Sequence, residues 1–174
     1  GRAVLRLLGA SGGCVLEILG VNGSPPVAER SEGFGAVIAG RENVVVCGRL
    51  VANWMQDQAE DRTKEYLVEN PDVVDVVFAQ NDAMAYGAYV AMNKLRAEGV
   101  RYVGVDGLDG RGGGKEMVRE GILDATFYCP TGGEQAIEYA LRILGGEKSL
   151  PRKLILDPVE ITPEFAGESA APTQ

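Results

Sequence analysis

The sequence contains no histidine. That removes the commonest general base and the commonest metal ligand together, and with them any serine or cysteine nucleophile activated by an imidazole. Cysteine is scarce. Cys14, Cys47 and Cys129 are odd in number and widely spaced, which fits neither a metal-ligand pattern nor a disulfide framework. Cys14 and Cys47 fall inside apolar strand patterns, where cysteine serves as a small core residue. So little cysteine leaves the compartment open. No apolar run approaches the roughly 20 residues of a membrane span, so direct membrane insertion is not expected. Basic residues are outnumbered, 17 Lys and Arg against 25 Asp and Glu, for a formal net charge of −8. An acidic surface disfavours nucleic acid and anionic membrane as partners. No signal peptide opens the chain. It opens inside a helical pattern, Arg2–Leu8, and reads as a portion of a longer protein, so a missing leader says nothing of export.

What is present is enough for one domain with an appendage: 174 residues, 45% hydrophobic and 24% charged, an ordinary globular mixture. The most informative stretch is Val76–Asp109. Val76, Val77 and Phe78 are a short β-prone apolar run. Asn81 and Asp82 follow and can cap a helix. Ala83, Ala85, Ala88, Ala91, Met92 and Leu95 then trace a helix closed by Gly99. Tyr102–Val105 is the next strand and ends on Asp106.

Elsewhere the same alternation holds. Ala3–Leu8 reads as a helix, Cys14–Leu19 as a strand and Val27–Ile38 as a helix. Val44–Cys47 starts a strand, and Asn53 caps a helix running to about Val68. Asn70, Pro71 and Asp72 turn the chain. Glu116–Glu120 is a short helix, Leu123–Tyr128 a strand, and a helix runs from Thr131 or Gly132 to Leu144 with Ala136, Ile137, Ala140 and Leu141 on one side. Leu154–Leu156 and Val159–Ile161 form a strand pair, or one strand broken at Pro158. The expected class is α/β: a doubly wound, mostly parallel sheet with helices on both faces.

In such sheets ligands bind at the strand C-terminal ends. The groups delivered there are Arg30 at a helix start, Asn53 and Trp54, Asn81 with Asp82, and Asp106. A guanidinium fork, an aromatic face, an amide and a carboxylate suit a neutral polyol, whose hydroxyls need donors and acceptors and whose C–H face stacks on an indole. Each residue also has a plain reading: Arg30 as surface, Trp54 as core, Asn81 as a helix cap, Asp106 as a turn former beside Gly107. The Gly-rich run LDGRGGGK (108–115) is not a phosphate loop, because Asp109 stands where the first glycine belongs and Glu116 where Ser or Thr belongs. Asp106 with Asp109 reads as a turn rather than a metal or catalytic pair.

FAQNDAMAYGAYVAM followed by GVDGLDG resembles the C-terminal half of the ribose-type periplasmic sugar-binding proteins, and the resemblance extends over nearly the whole chain. It implies a type I two-lobed binding fold of which residues 1–128 are one lobe. Residues 129–162 would be the hinge crossing plus a returning helix and strand of the otherwise missing lobe, and residues 163–174 a disordered tail. AERSEGF places Arg30 as the sugar-contacting arginine, the Asn53–Trp54 segment supplies the stacking aromatic, FAQND places Asn81, and GVDG places Asp106. Cys129 stands nearest the position where the family often has a polar ligand residue such as Gln, a departure that bears on which sugar fits.

The resemblance implies a non-enzymatic binder of a small sugar or polyol, exported to the periplasm or cell exterior, with lipid anchoring compatible. It would serve a membrane transporter permease or a sensor partner, with no cofactor and no metal. The rival readings on the same fold are the sensor region of a hybrid histidine kinase and the effector domain of a LacI-type repressor. A sugar-phosphate enzyme is the rival from another class.

Overall fold

The computed structural model describes residues 1–71, 74–95 and 97–165. The order of elements is α1 (Arg2–Leu8), β1 (Gly13–Leu19), α2 (Pro25–Ile38), β2 (Val44–Val51), α3 (Gln56–Glu69), β3 (Val76–Ala79), α4 (Asp82–Lys94), β4 (Arg101–Val103), α5 (Gly114–Arg119), β5 (Thr126–Tyr128), α6 (Gly133–Leu144) and β6 (Val159–Ile161). Four strands form a parallel sheet in the order β2-β1-β3-β4. β5 continues it beside β4 through single parallel bridges, Val103 with Ala125 and Asp106 with Tyr128. β6 then pairs antiparallel with β5, so one pairing departs from the parallel rule.

The period-two alternation of strands divides the sheet between two cores. Leu16, Ile18, Val77, Ala79 and Tyr102 pack on one face with Ala59 and Leu67 of α3, Met84, Ala88 and Met92 of α4, and Met117 of α5. Val15, Val76, Phe78 and Val103 face the other way, onto Ala3, Val4 and Leu8 of α1 and Phe34 of α2. Phe34 and Phe78 meet with ring centroids 4.8 Å apart. β1 and β3 are the central strands and accordingly read as apolar runs, covered on both sides.

Several expectations are corrected. Cys14 and Cys47 are not separate core thiols but a disulfide, with Cα atoms 5.6 Å apart. The cause is long-range. β1 and β2 are neighbours, and Cys47 is itself the extra residue of β2 at the Val15/Leu16 step, without a ladder partner and within disulfide reach of Cys14. A cross-link spanning 33 residues restricts the unfolded chain by about 3–4 kcal/mol on chain-entropy grounds. Asn53 does not cap α3. Met55 holds that place, and Asn53 and Trp54 take left-handed backbone, φ 51° and 67°. α4 ends at Lys94, before Gly99. Leu154–Leu156 forms no strand, leaving β6 alone. Of the expected tail, 163–165 form a turn closed by Phe165 N–H donating to Thr162 O at 3.0 Å. Residues 166–174, like Asp72, lie outside the described residues.

α6 has no buried residue. Ile137, Leu141, Ile143 and Leu144 are 60–83% exposed. Among the described residues no helix is long and apolar enough to cross a membrane.

Candidate functional site

Each parallel strand points its C-terminal end at the same edge, and the loops there carry the polar groups. Beyond β1, α2 starts on Pro25 and Pro26 with Ser24 before it, a start that fixes φ where the helix has no need of N–H donors. One and a half turns in, α2 presents Arg30. Its Nη1 donates to the main-chain oxygen of Gln80, its Nη2 lies 3.6 Å from Asp106 Oδ1, and its guanidinium carbon sits 5.5 Å from the centroid of the Trp54 ring. That is cation–π range.

Trp54 follows β2 and is half-buried. Its indole lies against Gly20 at the end of β1. A Cβ on Gly20 would stand 2.1 Å from Trp54 Cε2, so only glycine allows the approach. Asn81 is the N-cap of α4, its Oδ1 accepting from Met84 N–H at 2.8 Å. Its Nδ2 donates to Trp54 O at 3.2 Å. The cap therefore also ties down the tryptophan turn, and among the described residues these two bonds leave one N–H and one lone pair of the Asn81 amide unused. Asp106 follows β4 with φ 119°, a costly backbone for a residue with a Cβ. Burial pushes its carboxyl up and the nearby Arg30 charge pulls it back. Cys129 comes after β5. Its exposed thiol makes a long contact to Phe127 O at 3.7 Å, and burial pushes its pKa up while Arg30 lowers it and Asp106 and Asp82 raise it. The structure thus brings Arg30, Trp54, Asn81 and Asp106 into one connected group, with Cys129 within electrostatic reach.

Three buried polar residues support this group beyond the residues chosen from the sequence; of them only Asp82 was noted, as a helix cap beside Asn81. Asp82 is buried, and it braces the turn that carries Asp106. Its Oδ2 accepts from Gly107 N–H at 2.8 Å and its Oδ1 from Thr126 Oγ1 at 2.5 Å. Burial raises its pKa to about 6, the Thr126 and Gly107 bonds and Arg30 lower it, and Asp106 raises it. Glu17 and Gln80 are fully buried beneath the arginine. The signal for both was a polar residue inside an apolar strand run, CVLEIL and VVFAQ. Among the described residues no set of acids and thiols converges as a metal site.

The group forms an open ledge. A cleft of about 510 Å³ lies elsewhere, against β2 and α3 beside Arg49, Arg62 and Tyr66, and one of about 390 Å³ lies between Tyr139 of α6 and Leu154. What the ledge can do is grip one side of a hydroxyl-rich ring. It offers a charged acceptor, a planar donor fork and an aromatic face, with no activated nucleophile among them.

Residues 1–148 match the family described as periplasmic binding protein domain. The ribose import binding protein of Salmonella typhimurium is 34% identical over 139 residues, 79% of this chain and 45% of that protein. The D-apiose import binding protein of Paraburkholderia graminis is 30% identical over 171 residues, 97% of this chain and 53% of that protein. The fructose-binding periplasmic domain of a hybrid two-component system superposes with a TM-score of 0.88 at 32% identity, covering 95% of this chain and 54% of that one. The chain spans about half the length of the curated relatives it matches.

Proposed function

The chain belongs to the family of periplasmic binding protein domains, and from that premise we propose that its strand-end ledge binds a small sugar or related polyol for import through an ABC transporter. The observation that carries the reading is the contact of Arg30 with both Asp106 and Trp54 at the edge of a parallel sheet. A ring hydroxyl donates to Asp106, Arg30 donates to neighbouring ring oxygens, and the C–H face of the ring lies on the Trp54 indole. At 3.6 Å the Arg30–Asp106 pair is beyond normal hydrogen-bond length, so each side keeps capacity for the ligand. Asn81 adds its spare N–H, and Cys129 borders the rim. No bond is made or broken.

The ledge supplies half of a cleft. In this reading residues 1–128 are one lobe, the chain crosses a hinge near Tyr128–Thr131, α6 belongs to a second lobe that closes over the sugar, and β6 comes back to the first lobe, where it pairs with β5 and buries Ile161. The apolar face of α6, Ile137, Leu141 and Leu144, packs on that second lobe. Closure is favoured because the closed form collects contacts from both sides. The protein then works in the periplasm or at the cell exterior, handing sugar to a permease. A second reading, as the sensor domain of a hybrid kinase, is supported by the similarity to the fructose-binding sensor domain and leaves the ledge chemistry unchanged.

The test is calorimetry on the full-length protein against pentoses, hexoses, acyclic polyols and sugar phosphates. The expected result is saturable binding of an unphosphorylated sugar without turnover. Trp54→Ala and Asp106→Ala should each weaken it by about 1–3 kcal/mol. Unchanged affinity in both variants removes the site assignment, and turnover of a sugar phosphate replaces the function.

A further inference from the structure

Gln80 sits at the end of β3, one residue before Asn81, and its side chain is fully buried. Three pieces of the ledge meet on it. Its Oε1 accepts from Gly20 N–H at 3.3 Å, at the end of β1 and directly under the Trp54 ring. Its Nε2 donates to Ser31 Oγ at 2.9 Å and Val27 O at 3.3 Å, both in α2, and reaches Glu17 Oε1 at 3.4 Å. Its main-chain oxygen takes the hydrogen bond from Arg30 Nη1. Glu17 completes the layer, accepting from Ser31 Oγ at 2.6 Å and Arg49 Nε at 2.8 Å.

An amide in this place costs desolvation that an apolar side chain of like volume would not. What the amide supplies instead is direction. Two of its contacts fix a neighbour of a ledge residue, Ser31 beside Arg30 and Gly20 beneath Trp54, and Asn81 follows it in the chain. An arginine side chain has many rotamers to lose, and a donor already held in its binding pose gives up less on meeting a ligand. We propose that Gln80 is a positioning residue for ligand binding, locking α2 and the β1 end together so that Arg30 is presented over Trp54 and beside Asp106. The inference rests on the reading of Arg30 as a ligand-binding residue.

The experiment is a double-variant cycle of Gln80→Leu and Arg30→Ala in the full-length protein. Gln80→Leu keeps the main-chain oxygen and the volume while removing the side-chain anchors. Two readouts are taken: acrylamide quenching of Trp54, which needs no ligand, and affinity for the tightest sugar from the panel above. Where other tryptophans accompany Trp54, they are replaced by phenylalanine beforehand. Gln80→Leu is expected to raise quenching as far as Arg30→Ala does, to lower sugar affinity about tenfold, and to add nothing in the Arg30→Ala background. Ser31→Ala, which leaves the buried amide in place, should move both readouts less in the same direction and keeps the test open if Gln80→Leu folds poorly. Quenching unchanged in Gln80→Leu and Ser31→Ala, or effects simply additive with Arg30→Ala, would overturn the positioning role. Affinity unaffected by Arg30→Ala would instead overturn the reading of the ledge, leaving the quenching cycle to decide the positioning role by itself.

Discussion

The sheet and α6, the helix that follows Tyr128, obey opposite packing rules. In the first, β1 and β3 are covered on both faces, and large side chains such as Leu16, Ile18, Met84 and Met92 have no exposed surface. In the second, α6 carries an apolar stripe as well formed as that of any helix in the chain, yet none of its residues is buried. Burying a leucine or isoleucine stabilises by roughly 1.5–3 kcal/mol, so a helix with four such side chains in water lacks the usual reason to exist where it does. The contrast separates two kinds of information. An amphipathic pattern states that a face is apolar; what covers the face is a property of the rest of the protein, and under the proposed two-lobed reading it is the second lobe.

The largest expected effect lies in the first region. Leu16 is completely buried, in contact with the α3–α4 layer. Leu16→Ala should cost about 2–5 kcal/mol through lost burial and the cavity left behind. Urea unfolding followed by circular dichroism measures it. A cost under about 1 kcal/mol would mean that this core is loosely packed and the contrast with α6 is overstated.

A smaller effect sharpens the contrast by pH. The carboxyl of Asp82 is raised from 3.8 to about 6, so the folded state holds its proton over a window in which the unfolded chain has released it. Its contribution to stability is therefore fully present below pH 3.8 and is lost as pH rises through about 6. The full shift corresponds to roughly 3 kcal/mol at about 1.4 kcal/mol per unit. The measurement is unfolding free energy of the wild type against Asp82→Asn at pH 4 and pH 7. The wild type should lose stability relative to the variant across that interval. Parallel curves would show that Asp82 is better solvated than its burial implies.

The two-layered sheet was legible because its signals are local. Val76–Ala79 is an apolar run of strand length, Asn81 is a capping residue in the right place, and both appear as expected. The gathering of Arg30, Trp54, Asn81 and Asp106 followed from one topological rule, that parallel strands share a C-terminal edge. What was not legible depends on partners far along the chain. Asp82 looked like a spare cap, but its hydrogen-bond partners Gly107 and Thr126 lie 25 and 44 residues away. The disulfide depended on a strand neighbour and a bulge, neither of which spacing reveals. Trp54 reaches Arg30 through a left-handed turn at Asn53 and Trp54, where the residue type argued for a helix start. The buried Glu17–Gln80 layer was announced by polarity inside strand runs, and reading it required knowing that both strands are central.

The smallest expected effect is the one that most directly probes the second region. Leu141 is 64% exposed on α6. In a chain limited to these residues, Leu141→Lys places a charge where there is already water, and the expected change in stability is under about 0.5 kcal/mol. In the full-length protein the same substitution should cost several-fold more, about 2–4 kcal/mol, because the charge would have to be buried against the second lobe. Urea unfolding of both lengths gives the comparison. Equal and negligible costs would mean that nothing packs on this face, and the assignment of α6 to a second lobe would fall with it. A large cost in the short chain would mean that α6 folds back on the sheet, and the contrast between the two regions would itself be broken.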